Sequence, residues 1–192
     1  MTFISSDTNI WIDFSTIQEL ELPFLLPNTY LISSDTLSDE LIDPADLGQR
    51  LVQLGLVTVE ITESEYALIL EYAKKYIQLS YYDRVALAIA KVRSIPLLTG
   101  DGLMRKVAVR EGVEVMGTLR ILDDLFLGSY INPDRYREVL LKLKKENGKK
   151  VRLPMSSKRF SRCFKRSLMK NILGRSRTSL NRRGKSSVNG TI

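Results

Sequence analysis

The fold is decided by residues 82–101, whose sequence is YDRVALAIAKVRSIPLLTGD. An acid, Asp83, opens an Ala-rich apolar run that predicts a buried helix. Residues 95–98 predict a short buried strand, and Asp101 follows that strand in a Thr-Gly-Asp-Gly turn. Ligands of open α/β sheets bind beyond the carboxyl ends of the strands, so Asp101 stands where chemistry is expected.

A third acid has the same setting near the start of the chain. Residues 2–6 predict a strand that delivers Asp7 into the beginning of a helix. Further strands are predicted at 30–33, 56–61 and 113–116, with helices between them. This alternation predicts an α/β fold with a mostly parallel sheet of four or five strands and helices on both faces.

Charge divides the chain into two parts. Residues 151–192 contain 12 of the 29 Lys and Arg residues and no acid, so residues 1–150 carry 17 basic side chains against all 22 Asp and Glu. We therefore predict a folded domain over residues 1–150 and a disordered basic tail over residues 151–192. The composition of the tail cannot bury enough apolar surface to offset the entropy of ordering it.

Histidine is absent and cysteine occurs once, which restricts the catalytic chemistry available to the chain. The chain has no histidine, which excludes Ser-His-Asp and Cys-His nucleophiles and His-ligated zinc. Its single cysteine, Cys163, cannot form an intrachain disulfide, which favours a reducing, cytoplasmic location. We also expect no association with a membrane, because no apolar run is long enough to span one. Any catalysis must therefore depend on carboxylates.

Each of these acids also has a purely structural interpretation. Asp7, Asp83 and Asp101 all precede or open apolar helical runs, where an Asp commonly serves as an N-cap. Glu40 lies on a predicted helix over residues 34–42, where a solvated side chain is the ordinary expectation, and the adjacent Asp39 could take the same part as Glu40.

Four segments together point to a known family. They are Ser-Asp-Thr-Asn-Ile-Trp-Ile-Asp at 6–13, Asp-Glu-Leu at 39–41, Tyr-Asp-Arg-Val-Ala-Leu-Ala-Ile-Ala at 82–90 and Leu-Leu-Thr-Gly-Asp at 97–101. On these segments the chain resembles, over about residues 3–125, the PIN-domain family of metal-dependent nucleases, including the VapC-like ribonucleases. A three-layer α/β/α fold is what this resemblance implies.

The resemblance also implies roles for particular residues. Asp7, Glu40, Asp83 and Asp101 would be the catalytic acids, and Asp7, Asp83 and Asp101 would hold Mg²⁺ or Mn²⁺. Asn9 and Thr99 would form the polar shell around them. Physical chemistry agrees, because clustered carboxylates repel one another unless a divalent cation compensates their charge, and oxygen-only ligands suit Mg²⁺ or Mn²⁺.

The implied activity is that of an endoribonuclease acting on RNA, as the toxin of a toxin–antitoxin pair. Proteins of this kind typically bind a small antitoxin and often form homodimers. Arg84 and Arg105 lie near the proposed acids and could bind a phosphate, although an exposed helical arginine is the ordinary alternative.

Two other functions remain open at this point. A phosphatase or phosphotransferase of the haloacid-dehalogenase kind also places an Asp after its first strand, but it requires acids where this chain has Asn9 and Arg105. A catalytically inactive PIN-like module that only binds nucleic acid is the second. The tail has two interpretations as well, an electrostatic arm that holds RNA or a dispensable extension, even one read through from an unrelated coding frame.

Overall fold

The computed structural model describes residues 2–42 and 44–146, and the predicted tail lies outside these residues. Five strands form one sheet, with the spatial order β3-β2-β1-β4-β5 and only parallel pairs. The strands are Thr2–Ser6 (β1), Asn28–Ser33 (β2), Val57–Val59 (β3), Leu97–Leu98 (β4) and Val115–Met116 (β5). The predicted parallel sheet is confirmed, with five strands rather than four.

Helices connect the strands, as the alternating pattern predicted. They are Thr8–Thr16 (α1), Ser34–Glu40 (α2), Leu47–Leu54 (α3), Glu63–Lys75 (α4), Tyr81–Val92 (α5), Gly102–Arg110 (α6), Thr118–Leu127 (α7) and Pro133–Glu146 (α8), with a 3₁₀ helix at Leu22–Leu25. Helix α3 ends at Gly55, whose φ of 114° is a left-handed conformation that glycine tolerates best. Among the described residues, no helix is both long and apolar enough to cross a bilayer.

The two faces of the sheet are covered by different helices. Ser5 of β1 donates its hydroxyl to the Ala86 carbonyl oxygen of α5 (2.8 Å), whereas Ser6 accepts from the indole Nε1 of Trp11 on α1 (3.0 Å). Successive side chains of a strand point to opposite faces, so α5 and α1 lie on opposite sides of β1. The predicted three-layer α/β/α arrangement is therefore confirmed.

Each face has its own apolar core. On the α5 side, Leu97 packs with buried residues of α4, α5 and α6, among them Ile69, Tyr72, Leu87 and Met104. On the α1 side, the Trp11 ring stacks on Phe24 at 5.4 Å and meets Tyr30 edge-on at 5.3 Å. These two cores fix the sheet from both sides and leave its strand ends to carry the polar groups.

Strand β1 lies at the point where the strand order reverses. It pairs with β2, the next strand along the chain, on one side and with β4 on the other. The hydrogen-bond ladder between β1 and β4 continues past the strand end, because the backbone N–H of Asp7 donates to the Leu98 carbonyl oxygen at 2.9 Å. A reversal of this kind opens a crevice at the carboxyl ends of the two strands.

The predicted strand at 95–98 begins two residues late. Pro96 lacks the N–H that a central strand requires, and its carbonyl oxygen accepts from the Ser5 N–H (2.9 Å) as the ladder begins. Only Leu97 and Leu98 are strand residues. The predicted strand at 56–61 is likewise shorter, at Val57–Val59.

Helix α8 is joined to the rest of the domain by a buried acid. Glu19, 5% exposed, accepts from Arg135 Nη2 at 2.5 Å and from Lys142 Nζ at 2.6 Å. A buried carboxylate is costly without such partners, so these two pairs fix α8 against the end of α1. The last described helix is therefore part of the domain.

Candidate active site

Asp7 lies at the end of β1 and is almost completely buried, with 5% of its surface exposed. Its Oδ2 accepts from the Thr99 hydroxyl at 2.8 Å and from the Asn9 side-chain amide at 3.2 Å. Asp7 occupies the N-cap position of α1, but its side chain makes no capping hydrogen bond. Asp7 therefore stands at the predicted N-cap position, while its carboxylate accepts from the side chains of Thr99, across the sheet, and of Asn9.

The pKa of Asp7 is raised above its ordinary value. Burial is the main cause, the bonds from Thr99 and Asn9 oppose it, and the negative charge of Asp83 adds to the rise. A buried carboxylate that is repelled by another acid is in an environment that a cation would relieve.

Glu40 is the last residue of α2 and is joined to Asp7 through Thr8. The Thr8 hydroxyl donates to Glu40 Oε2 at 2.8 Å and lies 3.4 Å from Asp7 Oδ1. Burial raises the pKa of Glu40, the bond from Thr8 opposes the rise, and the charges of Asp7, Asp83 and Asp39 add to it. Glu40 and Asp7 therefore share one electrostatic environment.

Asp83 is not the residue that caps α5. The N-cap is Ser80, whose hydroxyl accepts from the Asp83 N–H at 3.0 Å, while Asp83 Oδ2 accepts from the Ser80 N–H at 2.8 Å. This reciprocal capping box makes α5 begin at Tyr81, three residues earlier than an Asp83 cap would place it. The Ser80 N–H bonds Oδ2 of Asp83, so Oδ1 takes no part in the capping box. The negative charge of Asp83 contributes to the raised pKa of both Asp7 and Glu40.

Asp101 caps α6 as predicted and is also connected to Asp7. Its Oδ1 accepts from the Met104 N–H at 2.7 Å, and its own backbone N–H donates to the Thr99 hydroxyl oxygen at 3.0 Å. Since Thr99 gives its proton to Asp7, one threonine links the two acids at the ends of β1 and β4. The turn after β4 is thus held beside the first strand.

The donor set suits a hard divalent cation. None of the four acids has a Lys or Arg ion-pair partner within residues 2–42 and 44–146. In the same residues no three acids form a ready-made metal cluster; each carboxylate has a hydrogen-bond donor of its own instead. One buried and three half-buried carboxylates without a counter-charge are a set of oxygen ligands that Mg²⁺ or Mn²⁺ would complete.

The two arginines considered for phosphate binding make bonds within the domain. Arg84 Nε donates to the Ser80 carbonyl oxygen at 3.0 Å, and Arg105 Nη2 donates to the Thr99 carbonyl oxygen at 2.9 Å. A Cβ at Gly117 would lie 2.6 Å from Arg105 Nη2, so glycine leaves the space that this guanidinium fills. Both arginines therefore support the backbone around the acids.

Asp39 and Glu40 have different partners, as adjacent helical residues must. Asp39 Oδ2 accepts from the Tyr82 hydroxyl at 2.6 Å, whereas Glu40 bonds to Thr8. Tyr82 thereby joins the end of α2 to the first turn of α5. The sequence alone identified none of Tyr82, Thr8 and Ser80 as a hydrogen-bond partner of these acids.

An Asp7→Asn variant is expected to be more stable than the wild type when no metal is bound. The folded-state pKa of Asp7 is raised, so its stabilising contribution is fully present below the unfolded pKa of about 3.9 and is lost as the pH rises through the folded pKa. At neutral pH the wild type therefore carries a penalty that Asn lacks, and we expect a midpoint of thermal unfolding higher by about 2–4 °C.

Thermal unfolding in chelator at neutral and acidic pH checks this expectation. The difference should shrink as the pH falls below about 3.9, where Asp7 becomes protonated in both states. A variant less stable than the wild type at neutral pH would show that the Asp7 charge is already compensated.

Comparison with known proteins agrees with the geometry. Residues 3–157 match the family model described as a PIN domain, a range that includes α8 and extends beyond the 3–125 of the sequence resemblance. No curated protein and no solved structure gives a significant match to the chain. PIN domains are generally nucleases that act on nucleic acids and depend on divalent metal ions. Because the PIN-domain family model matches about four-fifths of its length, the chain belongs to the PIN-domain family.

Proposed function

We propose that this protein is an endoribonuclease that hydrolyses RNA phosphodiester bonds with a carboxylate-bound Mg²⁺ or Mn²⁺. The observation that carries the proposal is that Thr99 links Asp7 to Asp101 by hydrogen bonds, while Thr8, which donates to Glu40, lies 3.4 Å from the Asp7 carboxylate. Family membership supports nuclease chemistry over the phosphotransferase alternative, which belongs to a different family.

The residues divide into ligands and supports. Asp7, Asp83 and Asp101 would hold the ion, with Glu40 as the fourth catalytic acid. A divalent ion bound there would polarise the scissile phosphate and lower the pKa of a bound water, which requires no histidine. Thr99 and Asn9 orient the Asp7 carboxylate, and Thr99 also fixes the turn that carries Asp101.

Phosphate binding by Arg84 or Arg105 stays part of the proposal. Each guanidinium has five N–H groups, and the bonds to Ser80 and Thr99 use one apiece. An arginine held by a backbone carbonyl is pre-oriented, so less side-chain entropy is lost when it binds a phosphate.

One assay tests the function directly. Full-length protein is incubated with single-stranded RNA, structured RNA and a generic phosphomonoester, each with Mg²⁺, with Mn²⁺ or with chelator. We expect internal cleavage of RNA with either metal and none in chelator. RNA binding without cleavage under any condition would instead indicate an inactive PIN-like module, and release of phosphate from the monoester would indicate phosphatase chemistry.

Replacing Glu40 and Asp39 separately should have unequal effects. Glu40→Gln removes a charge from the acids around Asp7 and is expected to lower kcat by more than about tenfold. Asp39→Asn keeps an oxygen that can accept the Tyr82 hydroxyl and should lose much less. Steady-state cleavage rates of the two variants decide the matter, and a larger loss in Asp39→Asn would mean that the assignment of Glu40 is wrong.

A further test distinguishes the two interpretations of the basic tail, a dispensable extension or an arm that binds RNA. Because the family match ends at 157, the truncation removes residues 158–192. If the tail is dispensable, which we favour, full-length and truncated protein should lose RNA affinity with added salt at the same rate. A steeper dependence for the full-length protein would instead show that tail residues contact phosphates, since each contact adds to the slope.

A toxin role extends the proposal to partners and location. It implies a small antitoxin protein and a homodimer. It also implies a cytoplasmic location, and the single cysteine favours the same location. Light scattering of the purified protein reports the oligomeric state. Growth arrest on expression, relieved by Asp101→Asn, is the expected sign of toxicity, and unaffected growth would count against it.

A further inference from the structure

Thr8 stands between two of the proposed catalytic acids. It is 5% exposed and occupies the first turn of α1, directly after Asp7. A threonine hydroxyl has one proton to donate, and the distances of 2.8 Å to Glu40 Oε2 and 3.4 Å to Asp7 Oδ1 show that Glu40 receives it. Thr8 is therefore the direct hydrogen-bond donor to the Glu40 carboxylate.

Glu40 needs such a contact because of its place in the chain. It is the final residue of the seven-residue helix α2, and Leu41 already has a non-helical backbone (φ −97°, ψ 49°). Helix ends fray unless tertiary contacts hold them, and Glu40 is a long side chain with several rotamers. Repulsion from Asp7, Asp83 and Asp39 would favour rotamers that turn the carboxylate away from the site.

A second contact holds the backbone of the same helix end. The Tyr82 hydroxyl donates to the Asp39 carboxylate and so connects α2 to α5. The two hydrogen bonds have separate tasks, because Tyr82 fixes where α2 ends and Thr8 fixes where the Glu40 carboxylate points. Loss of the Thr8 hydroxyl should therefore leave the helix in place.

We propose that Thr8 is a positioning residue that holds the Glu40 carboxylate beside Asp7, in the orientation needed to act on the shared divalent ion. This inference rests on the proposed function and adds to it a residue that contacts neither substrate nor reacting atoms. It predicts an effect on metal affinity and turnover, with RNA binding unchanged.

The test compares Thr8→Val, which removes the hydroxyl at nearly constant shape, with Thr8→Ser, which keeps it. Thr16→Val is the matched control, since within the described part of the chain the exposed Thr16 hydroxyl bonds the Ile12 carbonyl of its own helix and no other group. Mn²⁺ affinity is measured without RNA by electron paramagnetic resonance on the full chain, and kcat and KM are measured with RNA. Metal-free thermal unfolding reports whether each variant is folded.

Thr8→Val should bind Mn²⁺ about tenfold more weakly and lose about tenfold in kcat with KM unchanged, the usual size of an outer-shell effect. Thr8→Ser and Thr16→Val should stay close to the wild type. If Thr8→Val does not fold, Thr8→Ala, which cannot clash, carries the same expectation.

Several results would overturn the inference. Wild-type Mn²⁺ affinity and kcat in Thr8→Val, a change in KM alone, or an equal loss in Thr8→Ser would each show that the hydroxyl does not position Glu40. If the wild type itself neither binds Mn²⁺ nor cleaves RNA, the proposed function falls and this inference falls with it. If the wild type binds Mn²⁺ and cleaves RNA but Thr8→Val behaves like it, the inference fails and the proposed function stands.

Discussion

Asp7→Asn and Asp101→Asn are each expected to lower kcat for RNA cleavage by more than about 100-fold while the protein remains folded. Residues that only support metal ligands typically cost about 10- to 100-fold when replaced, so loss of a ligand charge should cost more. Folding should persist because Asn keeps an oxygen that can accept from Thr99 at position 7 and from the Met104 N–H at position 101.

Asp134→Asn is the matched control for these variants. Asp134 is an exposed acid in the first turn of α8, a helix that packs against α7. Initial rates with saturating Mn²⁺, together with circular dichroism of each variant, give the comparison. Cleavage that survives both active-site substitutions, or a loss of equal size in the Asp134 control, contradicts the assignment of these acids.

The second large effect concerns stability. Glu65 is fully buried at the start of α4 and accepts from Arg93 at 2.6 Å and 3.2 Å while it completes a capping box with Thr62. Breaking a buried pair leaves an uncompensated charge, and because Arg93 is partly exposed we expect Arg93→Met to cost about 3 kcal/mol, the lower end of the usual range.

The pH dependence of that loss has a definite sign. Burial raises the pKa of Glu65, but the bonds from Arg93 and Thr62 outweigh it and leave the pKa below its ordinary value. A lowered folded-state pKa gives stability that is present above the unfolded pKa of about 4.3 and is lost as the pH falls through the folded value. The difference between Arg93→Met and wild type should therefore shrink in acid.

Urea unfolding at pH 7 and near pH 3 measures both quantities. Arg110→Met, a change at an exposed arginine near the end of α6, provides the control. An unchanged midpoint for Arg93→Met at pH 7 would mean that the Glu65 charge does not depend on Arg93. A loss that is as large at pH 3 would mean that Arg93 acts through packing.

Local patterns predicted the fold well because each element had its own signal. The five strands are short apolar runs bounded by turn residues, and their alternation with helices specifies a parallel sheet. The ends of elements were harder to place. Ser80 and Asp83 have the Ser-x-x-Asp spacing of a capping box, and this spacing indicates the observed start of α5 at Tyr81.

The bonds between acids could not be read in the same way. Thr99 bonds Asp7 across 92 positions of sequence, and that contact exists only because β4 pairs with β1. Strand order is a property of the whole chain that periodicity does not encode. Thr8 gave a weaker signal still, since a threonine after a strand-end acid is equally consistent with ordinary helix initiation.

Helix α8 shows a different limit. The sequence resemblance stopped near residue 125, although the buried Glu19 with its two basic partners binds α8 to the domain. A lone Glu before an apolar loop carries no indication that it is buried. Its role emerges only in the folded structure, where Arg135 and Lys142, about two helical turns apart on α8, both bond to it.

We propose that Asp7, Asp83 and Asp101 together hold one divalent metal ion beside the carboxyl ends of β1 and β4. Crystals soaked in Mn²⁺, with diffraction data collected at the manganese absorption edge, locate the ion without reference to activity. We expect an anomalous peak bounded by these three carboxylates. A strong peak elsewhere, or none beside Asp7 in crystals of protein that cleaves RNA with Mn²⁺, would contradict it.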